Sequence, residues 1–450
     1  MAKPSGWWST HPTLLSLAVP LAWDSNGDGL GDFEGIRIHL DYLIDMGISG
    51  LLLRQVTRFD DDFQWAGLVA QDWFEVDPLY GTMDDFDRLA EDCRKRDFKL
   101  LVMAVPEYMG WHHPDYVAAR KAHEAGREDP RVSWFQWEDD GTVATTWNHP
   151  GPDFANPTYM EAYLEHIGFW MDRGIAGWDV DSIASWRNLN LEAVRMLTDY
   201  VKARGGFITS ENMALEHDII RHGGFNGGTG FRRTQLYNET KAILEHDPDY
   251  IRHGLVTRQA LIDYDMFPYQ QLGDPRQKPF PLINKLPAWR LQVAFNAVLP
   301  DQVWASANDM TYPTKPIKPP PIVEAPRSGK IDWTEIARQE GDPDSPYEFF
   351  RRVFSLRAKE KALAIGEIEE LPTDCRNRVF AALRTSHDGG ETAVTVFHFG
   401  EGTKRVRAFL GDRAKTLINY LNGETVTANG NGELDLQLGN YGFKLLKVLN

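Results

Sequence analysis

Cysteines and long apolar runs are scarce in this sequence. Its 450 residues include two cysteines, Cys93 and Cys375, which lie far apart and make neither a disulfide framework nor a metal-ligand spacing. The apolar run "LLSLAVPLAW" near the start is too short to cross a bilayer, and no signal-peptide cleavage site follows it. We therefore interpret the run as a buried strand and expect a cytoplasmic protein without a membrane-spanning segment.

Basic residues are in the minority. The chain has 48 Lys and Arg against 65 Asp and Glu, a formal net charge of −17 at pH 7. Nucleic acids and anionic membrane surfaces attract basic proteins, so this charge argues against both classes of partner. The hydrophobic fraction of 42% is ample for a large packed core, and the length is too great for one small domain.

Up to about residue 366, short apolar runs alternate with amphipathic stretches. The run "LLSLAV" precedes the helical pattern "FEGIRIHLDYLIDMG", and "TYMEAYLEHIGFWMDRG" precedes "IAGWDVDSI". Such alternation favours a parallel sheet covered by helices on both faces. Its extent suits an α/β fold of the (β/α)8 TIM-barrel class, which places its chemistry at the carboxyl ends of the strands. From residue 367 onward, short strand-like runs between Gly, Asn and Asp predict a small antiparallel β domain.

The segment "DSNGDGLGD" is typical of a cation-binding loop. It offers side-chain oxygens from Asp24, Asn26, Asp28 and Asp32 and a carbonyl from Leu30, with glycines between them for tight turns. Calcium takes six to eight oxygen ligands, and alternating acidic and carbonyl donors supply them. The pattern departs from an EF-hand, because a glycine stands at the twelfth position, where a bidentate Glu is required. We expect a structural Ca²⁺ or Mg²⁺ here and no organic cofactor; the alternative is a plain Asx turn.

The stretch "GWDVDS" places Asp179 and Asp181 two positions apart in an apolar setting. Side chains alternate across a strand, so both carboxylates face one side and repel each other when ionised. Crowded carboxylates are tolerable if a cation neutralises them or if some hold protons. Our hypothesis is that the pair favours a cationic group, such as an amino sugar, a basic side chain or a metal ion. The alternative is a salt bridge from Asp179 to Arg187 or Arg276.

Several segments together resemble the α-amylase family, the family 13 glycoside hydrolases, across nearly the whole chain. "DSNGDGLGDFEGIRIHLDYLIDMGI" is similar to the first βα segment of the oligo-1,6-glucosidase and trehalose-synthase branch. "DRGIAGWDVDSI" and "FITSEN" resemble the strands that carry the family's catalytic carboxylates. The resemblance implies a retaining mechanism with two carboxylates about 5–5.5 Å apart. Matched residue by residue, the nucleophile falls on Asp181 and the acid/base on Glu211.

Several positions that hold a terminal glucose in the family carry other residues here. They are Leu68, Val69, Met103, Glu107, Tyr108 and Asp179. Asp179 replaces an arginine that orients the nucleophile. The last motif is matched by "QLGDPR", with Gly273 where a stabilising Asp belongs, Asp274 one step away and Arg276 following. Because each preorganised group at a developing charge contributes about 3–4 kcal/mol, these changes argue against an ordinary exo-glucosidase.

The resemblance also sets the expected domain organisation. Residues 1–106 and 166–366 are expected to form the barrel, residues 107–165 a reduced B-domain insertion after strand three, and residues 367–450 a C-terminal β-sandwich. We expect Trp111 to line the pocket entrance, since aromatic faces stack on sugar rings. His112 and His113 are expected to serve packing, because adjacent histidines rarely ligate one metal together. Trp7 and Trp8 are expected to cover the barrel floor.

Two functions of different classes fit these observations. The first is an enzyme that acts on an α-glycoside, a retaining hydrolase or transglycosidase with a rebuilt pocket for an unusual or amino-substituted substrate. Beside the catalytic Asp181 and Glu211, its substrate-binding residues would be Asp179, Glu107, Tyr108, Trp111, Asp274 and Arg276. The alternative is an inactive relative that binds carbohydrate or assembles with a partner, although drift has no reason to spare both catalytic carboxylates. The expected ligand is a small carbohydrate or glycoside, and the oligomeric state stays open.

Overall fold

The computed structural model describes most of the chain. The described residues are 6–10, 12–54, 56–59, 68–183, 186–210, 222–263, 269–271, 285–299, 302–306, 333–413 and 416–449. None of the helices in these ranges combines enough length with enough apolar character to span a bilayer.

Eight parallel strands form the main sheet. With an intervening hairpin, β4 and β5, the strands in chain order are β1 Thr13–Leu17, β2 Gly50–Leu53, β3 Lys99–Ala104, β4 Thr145–Thr146, β5 His149–Pro150, β6 Gly177–Val180, β7 Phe207–Ser210, β8 Gly227–Gly228, β9 Tyr269–Gln271 and β10 Gln302–Ser306. The sheet order is β8-β7-β6-β3-β2-β1-β10-β9, so the first strand pairs with the last. Within the described ranges, the ladder holds no pairing of β8 with β9. The predicted parallel sheet is confirmed.

Helices follow the strands and cover the sheet. They are α1 Phe33–Ile38, α2 Leu40–Asp45, α3 Met83–Lys95, α4 Pro114–Glu124, α5 Pro157–Asp172, α6 Leu191–Ala203, α7 Thr229–Glu245, α8 Asp249–Asp263, α9 Leu286–Val298, α10 Trp333–Gln339, α11 Pro346–Lys359 and α12 Lys361–Ala364. Local sequence fixes their starts: Thr82 and Asp85 form a capping box at α3, and the Asn156 side chain caps α5 ahead of Pro157. These caps satisfy backbone amides that have no partner within the helix.

The floor of the sheet is a separate apolar cluster. Leu14, Leu52 and Leu101, on three successive strands, pack with Phe207. The rings of Trp7 and Trp8 lie 5.6 and 5.4 Å from that of Phe207. The predicted role of the two tryptophans as a cover over the floor is therefore confirmed, and the opposite end of the sheet holds the acidic residues.

The C-terminal part is antiparallel, as predicted. Its strands are β11 Glu367–Glu370, β12 Val379–Thr385, β13 Thr392–His398, β14 Lys404–Phe409, β15 Thr416–Asn419, β16 Thr425–Thr427, β17 Glu433–Leu438 and β18 Phe443–Leu449. Six of them form one sheet in the order β11-β12-β13-β18-β15-β16, and β14 pairs with β17. Burial alternates along β17, whose Leu436 packs with Val396 and Val406 in one core. The exact domain boundaries stay a prediction.

Two buried arginines, Arg357 on α11 and Arg384 on β12, meet at the end of α9. Arg357 donates to the carbonyls of Ala297 and Leu299 at 3.0 and 2.6 Å, at the end of α9. Arg384, on β12, donates to four further carbonyls, those of Val298, Leu363, Gly366 and Glu367. The last carbonyls of a helix have no partner within it, and a positive charge near them also interacts favourably with the helix dipole. The two side chains therefore complete the end of α9.

Candidate functional site

The paired aspartates lie at the carboxyl end of β6. Asp179 is 4% and Asp181 6% exposed. The backbone amide of Asp181 donates to the carbonyl of Ala104, at the end of β3, at 2.8 Å. Both side chains therefore belong to the end of the sheet where this class of fold carries its chemistry.

A hydrogen bond links the strands that lead to the two candidate catalytic residues. The Thr209 hydroxyl donates to Asp179 Oδ1 at 2.7 Å, and the two residues are register partners on β7 and β6. Arg187 is not the partner that the sequence suggested, because its Nη1 donates to Gln136 Oε1 at 2.7 Å. The family resemblance places an arginine at position 179. In this structure the position carries a carboxylate, which accepts a hydrogen bond from the neutral hydroxyl of Thr209.

We expect Thr209→Val to lower the free energy of unfolding by about 1–3 kcal/mol, because a buried carboxylate loses its hydroxyl donor while the side-chain shape is kept. Urea unfolding followed by circular dichroism measures the change. Thr209→Ser, which keeps the hydroxyl, is the control and should recover most of the loss. Equal stability of the valine variant and the wild type would show that this hydrogen bond contributes nothing.

The backbone around Asp181 is held in an unusual conformation. The Trp186 indole donates to the carbonyl of Asp181 at 2.9 Å, and the Trp186 ring packs 4.2 Å from that of Phe154. Ser182, the next residue, has a φ of 36°, in the left-handed region that side chains other than glycine rarely adopt. Such local strain persists where the surroundings over-determine it, often at functional sites.

Glu107 lies in the same neighbourhood as Asp181. Glu107 is 1% exposed, and the hydroxyl of Tyr159 donates to the carbonyl of the preceding Pro106 at 2.7 Å. Burial raises the pKa of Tyr163 well above its ordinary value, and the charges of Tyr159, Glu107 and Asp181 raise it further. The structure therefore gathers two of the predicted acidic residues around one buried tyrosine.

Four of the positions that the resemblance assigns to sugar binding, Leu68, Val69, Met103 and Tyr108, lie in one apolar cluster. Its members are Leu68, Val69, Met103, Val105 and Tyr108, all buried. Met103 is the register partner of Asp179, so the cluster borders the acidic residues. The Tyr108 ring lies 5.4 Å from the His149 ring. Buried apolar packing therefore lies directly beside the acidic residues.

The remaining aromatic and histidine predictions fall on the segment after β3. Trp111 is 38% exposed and donates to the carbonyl of Asn148 at 3.1 Å; its role at the pocket entrance stays a prediction. His113 caps α4 and packs 4.6 Å from the Trp73 ring, which confirms its packing role. Burial lowers the pKa of His113 to about 4, so its ring is neutral at pH 7.

The loop predicted to bind calcium is folded on itself. Both oxygens of Asp24 accept backbone amides, from Gly27 and Gly29, and the Gly29 bond is the main reason that the pKa of Asp24 lies below its ordinary value. Asn26 and Asp28 form Asx turns. The remaining predicted ligands are Leu30, whose amide donates to Asp28, and Asp32, which caps α1 and accepts Ser25. Within the described ranges, no three acidic, histidine or cysteine side chains form a group that could hold a metal ion. The observed bonding is that of the Asx-turn alternative.

Three predicted site residues, Glu211, Asp274 and Arg276, lie outside the described ranges. Two residues that contact the candidate site, Thr209 and Trp186, were not predicted from the sequence. The position of Thr209, two residues before Glu211 in the sequence, was the one sequence signal that pointed to it.

The chain is similar to known carbohydrate-active proteins. Residues 22–151 match the sequence family described as "Alpha amylase, catalytic domain". Oligo-1,6-glucosidase of Heyndrickxia coagulans is 27% identical over 207 residues, which cover 40% of this chain and 36% of the relative. Glucan 1,6-alpha-glucosidase of Streptococcus pneumoniae is 29% identical over 196 residues, which cover 39% and 36%.

Solved structures support the fold over the whole chain. The structure of "Eubacterium rectale Amy13B" superposes with a TM-score of 0.82 over 99% of this chain and 97% of that one, at 16% identity. At this identity the likeness concerns the fold alone. By contrast, the matched segment spans little more than a third of the length of the curated relatives.

Proposed function

We propose that this chain, whose residues 22–151 match the α-amylase catalytic domain and whose fold is that of a solved relative, is an enzyme that acts on α-glycosides. The reaction class is retaining hydrolysis or glycosyl transfer. It uses a catalytic pair of carboxylates inherited from the family and a pocket rebuilt around it.

One observation carries this proposal: the register of β6 and β7. The last paired residues are Val180 and Ser210. Asp181 directly follows Val180, and Glu211 is the next residue after Ser210 in the sequence. Neighbouring strands lie about 4.8 Å apart, which is compatible with the separation of about 5–5.5 Å in retaining enzymes.

In the proposed mechanism each carboxylate has one task at each step. Asp181 attacks the anomeric carbon and forms a glycosyl-enzyme ester while Glu211 protonates the departing oxygen. Glu211 then removes a proton from water, or from an acceptor hydroxyl, which displaces Asp181 with net retention. The Trp186 indole, bonded to the carbonyl of Asp181, fixes the backbone that presents the nucleophile.

The substrate class follows from what surrounds the pair. Leu68, Val69 and Met103 offer no partner to sugar hydroxyls, whereas Asp179 and Glu107 add negative charge. A glycoside that carries an amino group would neutralise part of this charge, and a neutral glucoside would not. We therefore propose an unusual, amino-substituted α-glycoside as the substrate.

A screen of activated aryl α-glycosides tests the proposal. We expect turnover with retention, and a kcat/KM about 10- to 100-fold higher for an amino-substituted glycoside than for its neutral parent, the effect of one charge-assisted hydrogen bond. Asp179→Asn should remove this preference and leave the neutral substrate little changed. Equal kcat/KM values for both substrates in the wild type would discard the amino-substituted class while leaving the enzyme in place.

The second candidate function is a non-catalytic binding or assembly module. The burial of the apolar cluster favours it, since packed side chains leave less room for a sugar ring. Absence of turnover across the whole screen, together with saturable binding of an unreactive glycoside, would support this function and overturn the first.

Several structural features belong to the same proposal. We propose that β8 and β9 meet and close the sheet into a barrel, that residues 107–165 are a reduced B domain over its mouth, and that the protein acts in the cytoplasm. A small carbohydrate or glycoside is the expected partner.

A cation at the loop of Asp24 and Asp32 remains part of the proposal. Each Asp24 oxygen accepts one backbone amide and keeps a further lone pair that could ligate Ca²⁺. If the site exists, millimolar Ca²⁺ should raise the Tm relative to EGTA, by an amount that grows with concentration, and Asp24→Asn should remove the increase. An unchanged Tm would identify the loop as a plain Asx turn.

A further inference from the structure

A cavity of about 390 Å³ lies on the outer helical layer, away from the paired aspartates. Its lining residues are Phe74, Glu165, Gly168, Phe169, Asp172 and Tyr200. Four of them belong to α5, Tyr200 belongs to α6, and Phe74 comes from the segment between β2 and α3. Cavities that bind small ligands start at about 300 Å³, so this one can take a small molecule.

The aromatic wall of the cavity is held in place before any ligand arrives. The carbonyl of Trp73, the residue before Phe74, accepts hydrogen bonds from His166 and Trp170 of α5 at 2.9 and 2.8 Å. The Phe74 ring meets that of Phe169 edge to face at 5.2 Å and is 36% exposed. A preorganised wall lowers the entropy cost of binding.

Glycine at position 168 allows the two helices to approach at this point. A Cβ atom there would lie 2.3 Å from the hydroxyl oxygen of Tyr200. The absence of a side chain therefore lets the Tyr200 ring pack directly against α5 and form the second aromatic wall.

Two of the aromatic rings that line the cavity already lie beside arginine side chains. The guanidinium carbon of Arg173 lies 4.6 Å from the centre of the Phe169 ring, and that of Arg204 lies 3.7 Å from the centre of the Tyr200 ring. Neither arginine lines the cavity. Arg173 is also paired with Asp87 at 2.6 Å, so its charge is largely neutralised.

The two carboxylates of the cavity are available to a ligand. Glu165 and Asp172 lie seven residues apart, two turns along one face of α5, and both are exposed. Neither makes a hydrogen bond or an ion pair with another residue in the described ranges, in contrast to Asp87 on the neighbouring α3. Two carboxylates without an ion pair in the described ranges thus stand beside three aromatic rings.

We propose that this cavity is a binding site for a small organic cation, a primary or quaternary ammonium with short alkyl groups. The aromatic faces attract such a cation through their quadrupoles, and Glu165 and Asp172 supply the opposite charge. A neutral sugar carries no positive charge to pair with the two carboxylates. The site is independent of the glycosidase chemistry, because its residues lie on α5 and α6 rather than at the strand ends.

Ligand-observed NMR titration of the full chain with choline tests the site. The comparison ligand is 3,3-dimethylbutan-1-ol, which replaces the quaternary nitrogen by carbon and keeps the shape. We expect choline to bind and the neutral analogue to bind at least about 2- to 5-fold more weakly, as expected for a cation–π contact at an exposed site. Glu165→Gln and Asp172→Asn should each weaken choline binding by about 2- to 5-fold.

Glu161→Gln and Glu192→Gln are matched controls, since they remove one exposed charge each from α5 and α6 outside the cavity. They should leave choline affinity within twofold of wild type. The proposal is overturned if the neutral analogue binds as well as choline, or if the control variants weaken choline as much as the cavity variants do. Binding of maltose that the cavity variants abolish would also overturn it, because the cavity would then be a sugar site.

Discussion

Asp181→Asn should reduce turnover of an activated aryl α-glycoside by at least about 10³-fold. The amide cannot form the glycosyl ester, and the loss of a single essential catalytic group costs rates of this order or more. An activated phenol leaving group needs little protonation. Turnover of this substrate therefore depends on the nucleophile and only weakly on the acid. The expected signature is a collapse of kcat with a KM that changes little.

The control for this experiment must remove a charge without touching the site. Asp199→Asn, on the exposed face of α6, serves that purpose and should keep full activity. Circular dichroism and unfolding curves for both variants establish that the fold persists. Undiminished turnover in the Asp181 variant would assign the chemistry to another residue.

Arg384→Ala should lower the free energy of unfolding by about 3–5 kcal/mol. The buried guanidinium donates to the carbonyls of Val298, Leu363, Gly366 and Glu367, and its removal leaves buried acceptors without a donor. Each such loss is costly, because a hydrogen bond to a charged group contributes about 1.5–3 kcal/mol. Since domains are stable by only about 5–15 kcal/mol, the variant would approach the limit of folding.

Urea unfolding measures this effect, with Arg405→Ala as the matched control. Arg405 also lies on a C-terminal strand, but its side chain is 79% exposed and pairs with Asp435 at the surface. Its loss should cost no more than about 1 kcal/mol. Arg384→Lys keeps the positive charge but not the planar guanidinium, so its free energy of unfolding should lie between those of the wild type and Arg384→Ala. Similar losses for Arg384→Ala and Arg405→Ala would show that the buried carbonyls do not depend on Arg384.

Features that rest on local sequence patterns could be predicted. The continuous apolar runs and the amphipathic stretches between them predicted the parallel sheet, because the spacing of apolar residues indicates which faces of a strand or helix are buried. The spacing of Asp179 and Asp181 predicted that both carboxylates face one side of a strand, and Trp7 and Trp8 were assigned to the floor from their place near the start of the chain. In each case a few neighbouring residues carry the information.

Features that depend on contacts between distant segments could not be predicted. Thr209 bonds to Asp179 across 30 positions, and only the strand register reveals that the two meet. The apolar cluster joins Leu68 to Tyr108 through packing that no periodicity encodes. For the loop of Asp24, composition predicts a metal site, and this site stays a prediction.

The pairing of β1 with β10 has a consequence for how this chain is made. Thr13 pairs with Val303, so one edge of the first strand lacks its neighbour until about 290 further residues have left the ribosome. At about 5–20 residues per second that interval lasts some tens of seconds. During this interval the unpaired amides and carbonyls along that edge can form hydrogen bonds with strands of other nascent chains. The free edge of β1 therefore needs protection from such pairing until β10 has been made.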